Sequence, residues 1–248
     1  MHFALQLSAL HSIVAFGQAD AKAEARVHFT KGHPNVVVLY EVCESGDRIY
    51  LVMELVHGES LRTRLARRRA DATAAIDLLL PAMNGVAAAH QVGVIHRDLK
   101  PDNIFPCQAP DGSPLEAKVL DFGLASIAPG PGASTLTEAG VQLGSPAYMS
   151  PELIKNPHGV DQRTDIYAFG ITLYEMLAGF PPFQAESYAA LIAAIVNQEP
   201  KPLSRARAGL PPGLEAVVLR ALSRDPAARH QTMTTLIHAL RPFGSRGA

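Results

Sequence analysis

The run His96-Arg97-Asp98-Leu99-Lys100-Pro101-Asp102-Asn103, with Asp121-Phe122-Gly123 further along, holds residue types suited to phosphoryl transfer. That reaction asks for little covalent help from a protein; it asks for positioning and for neutralised charge. Asp98 can accept the proton of a substrate hydroxyl. Lys100, two residues on along an extended loop, points the same way and can meet a γ-phosphate. Asn103 and Asp121 offer the hard oxygen ligands that Mg²⁺ requires.

Such a loop needs rigid elements around it. Phe3, Leu5 and Leu7 alternate with polar or small residues, the period of a strand. Residues 18–31 are rich in Ala, Lys and Glu and predict a helix ended by Gly32 and Pro34. The apolar runs 36–42 and 48–55 flank the turn Glu44-Ser45-Gly46-Asp47, which predicts an antiparallel hairpin. From about residue 60 the pattern turns helical. Ile76, Leu79, Leu80, Met83, Val86, Ala87 and His90 share helical spacing closed by Gly93, with Pro81 inside it predicting a kink or a late start. Residues 103–151 read as loop-rich. A helix over 165–178 stops at Gly179, and further helices are expected near 185–198, 213–223 and 230–241. A small β-rich part thus precedes a larger helical part, with the boundary near 55–60.

Composition fits this outline. The chain has 248 residues, 48% apolar and 18% charged, enough to bury a sizeable core. Lys plus Arg number 22 against 23 for Asp plus Glu, which excludes a general nucleic-acid binder. Cys43 and Cys107 are too few for a disulfide framework. With no basic start before Lys22 and no continuous apolar run of spanning length, a cytoplasmic chain without a membrane segment is expected.

In order and spacing, these motifs resemble the eukaryotic-type protein kinases, and within them the bacterial Ser/Thr branch, over roughly residues 3–242. The resemblance implies an α+β, bilobal protein kinase-like fold. A partial N-lobe, residues 1–56, would carry a reduced antiparallel sheet plus helix C. A complete, mainly helical C-lobe would follow over 57–248. It further implies transfer of the γ-phosphoryl of ATP, with Mg²⁺, to Ser or Thr of protein substrates, and allows a homodimer for autophosphorylation in trans. Residue by residue, Glu24 falls nine positions before His33-Pro34-Asn35, where the family keeps its helix-C glutamate. Met53 matches the gatekeeper, and Glu54 to Val56 the hinge whose backbone holds adenine. Glu59 stands at a ribose-contacting position, and Phe105 joins the nucleotide-binding set. Residues 144–152 resemble the substrate-binding loop that ends in Ala-Pro-Glu, with Ser150 in place of Ala. The family would pair Glu152 with Arg229 and set Asp165 beneath the catalytic loop. It would use His96, Phe122 and Gly123 structurally. Lys100 marks Ser/Thr specificity, and Arg97 implies control by phosphorylation of Thr135 or Thr137. The alternative, that these threonines are ordinary loop hydroxyls, stays open.

The chain also departs from the family pattern. No glycine-rich strand pair precedes the presumed lysine strand, and aligning residues 3–8 with the Val-Ala-Ile-Lys pattern puts Gln6 at the lysine position, 18 residues before Glu24. Glutamine donates a hydrogen bond but carries no charge, and losing one preorganised donor at a charged transition state costs ~10²–10³ in rate. His28 stands where the family has an apolar residue. The expectation is therefore a kinase of weak turnover. A pseudokinase or scaffold that binds partners without transfer remains open, as does a gene fragment with an exposed strand edge.

Other features have simpler readings. Arg62, Arg64, Arg67, Arg68 and Arg69 read as a solvated helix face before they read as a docking patch for acidic substrates. No pair of histidines has zincin spacing. Cys43 is expected in the core, and Cys107 near the tip of a hairpin insert.

Overall fold

The computed structural model describes residues 11–16, 32–45, 48–67, 69–107, 116–122, 146–157 and 159–245. The strand at residues 3–8 with Gln6, the helix at 18–31 with Glu24 and His28, Gly123, Thr135 and Thr137 all lie outside them.

Three strands open the described chain: β1 (His11–Phe16), β2 (Leu39–Ser45) and β3 (Arg48–Glu54). They form an antiparallel sheet in the order β1-β3-β2, with Val14 and Val42 each opposite Leu51. The hairpin expected from the two apolar runs is present. β1 is an addition, because Ile13-Val14-Ala15-Phe16 is too short and too evenly apolar to show a strand period.

The first apolar run is divided between two tasks. β2 begins at Leu39, with a register irregularity between Leu39 and Glu41, and not at Val36 as expected. Val36 instead bridges in parallel to Val119; the Val37 N–H donates to the Val119 carbonyl at 3.0 Å, and the Val119 N–H to the Asn35 carbonyl at 2.9 Å. Asn35 also donates from Nδ2 to the Ala117 carbonyl. Val37, Leu51 and Met53 make a small buried cluster under the sheet. Cys43 is half-buried there and not a core residue, since it sits toward the turn end of β2 opposite Tyr50.

A short helix α1 (Leu61–Arg67) leads into α2 (Ala72–Gln91). Asp71 caps α2 by accepting from the Ala74 N–H at 2.9 Å. The helix starts well before Pro81, so the late-start alternative falls. Its apolar stripe, including Ile76, Leu79, Met83 and Val86, is buried. α2 is long and apolar enough to cross a membrane, the one such helix among the described residues, and here that stripe forms core. Gly85 lies under the 35–36 crossover: a Cβ there would stand 2.8 Å from the Asn35 carbonyl oxygen.

Within the stretch read as loop, β4 (Ile104–Cys107) and β5 (Glu116–Val119) pair as an antiparallel hairpin. Beyond them come α3 (Pro151–Lys155) and α4 (Arg163–Ala178). α4 is buried on every side, which makes it the axis of the helical body. It ends where Gly179 takes φ 87°. Around it lie α5 (Tyr188–Asn197), α6 (Leu203–Ala206), α7 (Leu214–Ala221) and α8 (Met233–Leu240). The three longer ones match the expected helices with shorter ends.

Candidate active site

Asp165, in the first turn of α4, is the anchor from which the site is built. Its side chain is 1% exposed, and an isolated buried carboxylate is unfavourable without donors. Three donors reach it: His90 Nε2 at 2.7 Å and the His96 N–H at 2.9 Å on Oδ2, and the Arg97 N–H at 2.9 Å on Oδ1. A buried acid thus fixes two successive backbone amides of the loop that carries Asp98.

His96 fastens the same loop to the strand leading into Asp121. Its ring is fully buried, with Nε2 2.7 Å from the Leu120 carbonyl oxygen and 4.8 Å between its centroid and that of Phe122. The Asp98 N–H donates to Nδ1 at 3.3 Å. A carbonyl on one nitrogen and an N–H on the other select the neutral tautomer protonated at Nε2. Both nitrogens are used in holding the loop.

Asp98 lies between two cationic or amide donors. Lys100 Nζ donates to its Oδ2 at 2.7 Å, and Asn103 Nδ2 to its backbone carbonyl at 2.9 Å. Asn103 in turn accepts the Leu120 N–H on its own carbonyl, tying the loop to Asp121. Arg97 and Asp121 are the non-glycine residues with positive φ among those described, at 67° and 61°. Such conformations persist only where the surroundings impose them. Burial pushes the Asp121 carboxyl above the usual range, and the charge of Asp98 adds to this while Lys100 opposes it. A cation at this spot would relieve both carboxylates.

The donor chemistry here fits Mg²⁺: one carboxylate from Asp121 and one side-chain amide oxygen from Asn103, both hard. No group of three or more His, Cys, Asp or Glu that could hold a metal exists among the described residues.

On the sheet side, Met53 is buried in the sheet cluster and Val56 packs against it. The Glu54 side chain is committed internally: Lys118 Nζ donates to Oε1 at 2.6 Å and the Val38 N–H to Oε2 at 3.2 Å. Phe105 sits on β4 opposite that lysine. Glu59 faces helix α1, 3.0 Å from Arg67 and 4.0 Å from Arg64.

Farther off, Arg229 is fully buried and pairs with Glu152 through two parallel contacts, 2.6 Å and 2.7 Å. Its remaining N–H groups go to the carbonyls of Ser223, Arg163 and Arg224, and its guanidinium stacks 4.8 Å from the Tyr167 ring. All the donors of the fork are therefore used.

Sequence reasoning missed His90, Asn35, Lys118 and the partners of Arg62. Asp165 offered a signal: an acid in the first turn of an apolar helix must find buried donors, and His90 lay on an apolar stripe. The arginine cluster divides: Arg67 and Arg69 are exposed, as a solvated face requires, while Arg62, in the first turn of α1, is part-buried and contacts Asp102, Glu175 and Tyr148. Arg64 and Arg67 face Glu59, and Arg69 lies over Gly179.

A family model described as protein kinase domain matches residues 2–240. Among curated relatives, a serine/threonine-protein kinase pkn2 of Myxococcus xanthus is 39% identical over 221 residues, covering 88% of this chain and 26% of that protein. A serine/threonine-protein kinase PknB of Mycolicibacterium smegmatis is 37% identical over 85% of this chain and 33% of its own length. PknL of Mycobacterium tuberculosis is 34% identical, over 85% of this chain and 50% of its own. The chain spans between a quarter and a half of the length of these relatives.

Proposed function

The chain belongs to the protein kinase domain family, and from that premise we propose that it transfers the γ-phosphoryl group of ATP to Ser or Thr hydroxyls of protein substrates. The observation that carries this reading is the assembly of Asp98, Lys100, Asn103 and Asp121 on one loop and one strand end, held by buried Asp165. Asp98 would receive or orient the acceptor hydroxyl's proton. Lys100, already 2.7 Å from Asp98, would move its charge to the γ-phosphate as the groups meet. Asn103 and Asp121 would hold Mg²⁺, which when bound offsets the charge of the β- and γ-phosphates. Met53, the backbone of Glu54 to Val56, Phe105 and Glu59 would receive the nucleoside, with Glu24 completing the site.

Arg97 would answer to phosphorylation of Thr135 or Thr137, because its buried Nε has no hydrogen-bond partner in the structure and a phosphate would supply one. Protein substrates, ATP and a second copy of the chain acting in trans are the partners this reading requires.

The test is phosphate incorporation from labelled ATP with Mg²⁺, into the chain itself and into a general Ser/Thr substrate. Slow incorporation is expected, falling ~10²–10⁴-fold in Asp98→Asn. Incorporation that is absent from the outset, or untouched by Asp98→Asn, overturns the reading.

A further inference from the structure

A cavity of about 390 Å³ lies where the end of α2, the chain entering the catalytic loop and the start of α4 meet. His90, Gly93, Ile95, Gln162, Arg163 and Gln231 line it. That volume falls within the range of small-ligand sites. None of these residues belongs to the set Asp98, Lys100, Asn103 and Asp121.

The charges of its wall cancel. Asp161, which also lines it, turns both carboxylate oxygens to one guanidinium: Arg163 Nε donates to Oδ1 at 3.0 Å and Nη2 to Oδ2 at 2.6 Å. That contact holds the Asp161 carboxyl below its usual range, so the pair stays ionised and sums to zero. What remains is dipolar. Arg163 Nη1 donates to Gln231 Oε1 at 3.1 Å, which leaves one N–H on each terminal nitrogen without an acceptor among the described residues. Gln162 Nε2 donates to the Gln231 carbonyl at 3.0 Å, while its Oε1 has no donor among them.

His90 adds an unmet group. Its side chain is 4% exposed, its Nε2 lies on Asp165, and its buried Nδ1 has no hydrogen-bond partner among the described residues. Buried polar atoms of this kind are uncommon and costly. The ring is thus held from one side only. Half-buried Ile95, with Gly93, supplies the apolar part of the wall.

We propose that this cavity is a binding site for a small neutral carboxamide. Its carbonyl would accept from Arg163, its NH₂ would donate to Gln162 Oε1, and its apolar part would lie against Ile95. Ions are disfavoured, because a carboxylate meets Asp161 there and an ammonium meets Arg163. The site also touches both buried anchors. His90 shares the Asp165 carboxylate with the His96 and Arg97 amides, and the Arg163 carbonyl accepts from Arg229 at 2.9 Å. A ligand packed on the free side of the His90 ring therefore reaches the catalytic loop through Asp165.

The experiment titrates the isotope-labelled full chain with benzamide, benzoate and benzylammonium, which match in shape and differ in charge. Benzamide is expected to move the amide resonances of Gly93, Ile95 and Arg163 saturably, with a Kd of about 1 mM for a ligand of this size. The His96 and Arg97 amides should follow the same concentration dependence. Both ions should bind about tenfold or more weakly. Gln162→Leu removes an acceptor and should weaken benzamide about tenfold. If thermal melting shows that this variant does not fold, Gln162→Glu keeps the shape, and benzylammonium should then bind more tightly than benzamide. Benzamide shifts that fail to saturate or lie elsewhere overturn the site, as does an ion that binds the wild type equally well. Shifts confined to Gly93, Ile95 and Arg163 overturn the link to the catalytic loop. Binding is read without turnover, so the result stands apart from the kinase reading.

Discussion

The N-terminal sheet and the helical body are held together by different means. The sheet's buried cluster is Val37, Leu51 and Met53, and its remaining links run through backbone pairing and the Glu54–Lys118 contact. The body has a continuous apolar core around α4, with two buried polar anchors set into it: Asp165 under the catalytic loop, and Arg229 with Glu152 under the 146–152 segment. Among the described residues, the chemistry-bearing groups Asp98, Lys100, Asn103 and Asp121 all hang from the body. The difference teaches that the geometry of the proposed site is set by the well-packed region, while the sheet is fastened more lightly. Regions with few buried contacts open at lower free energy than cores.

The largest expected effect lies in the body. Arg229→Ala leaves Glu152 and three carbonyls without their donors, and urea unfolding should show a loss of about 3–5 kcal/mol. Asp165→Asn keeps the shape but replaces one acceptor oxygen with an NH₂ group facing donors. A loss of about 1–3 kcal/mol is expected, with a disproportionate fall in phosphate transfer, because the amides of His96 and Arg97 are released. If transfer survives in the folded Asp165→Asn protein, catalytic geometry does not depend on the buried anchor.

In the sheet, Leu51→Ala should lower amide-exchange protection of β2 and β3 while the amides of α4 keep theirs. Equal loss in both regions would break the comparison. The smallest effect concerns pH. Burial lowers the pKa of His230 in the folded chain. The unfolded chain then binds more protons just below the ordinary histidine value, so stability declines as pH falls through about 6.5. His230→Gln should flatten that part of the unfolding-midpoint profile.

Much of the site was legible because its residues are close in sequence: the 96–103 run carries its own spacing into the structure. What was not legible depends on distant pairing. The partners of Arg62 lie 40, 86 and 113 positions away, so its surroundings looked like solvent. His90 looked like one more face residue of an apolar helix, since its acid lies 75 positions on. The start of the hairpin was misplaced because Val36 to Val38 have the same β-branched character as the strand they precede. Only β5, at a separation no local pattern reveals, assigns Val36 and Val37 to another partner.

That assignment has a mechanical consequence. Residues 35–37 are hydrogen-bonded to β5, and Asn35 and Val36 are pressed over Gly85 of α2, so this piece of the N-terminal region is fastened to the helical body while the Val37 side chain packs under the sheet. Any rocking of the sheet must therefore turn about the irregularity between Leu39 and Glu41 and about the chain just beyond Glu54. The pivot lies inside the sheet's own border, and the segment before it behaves as part of the chassis.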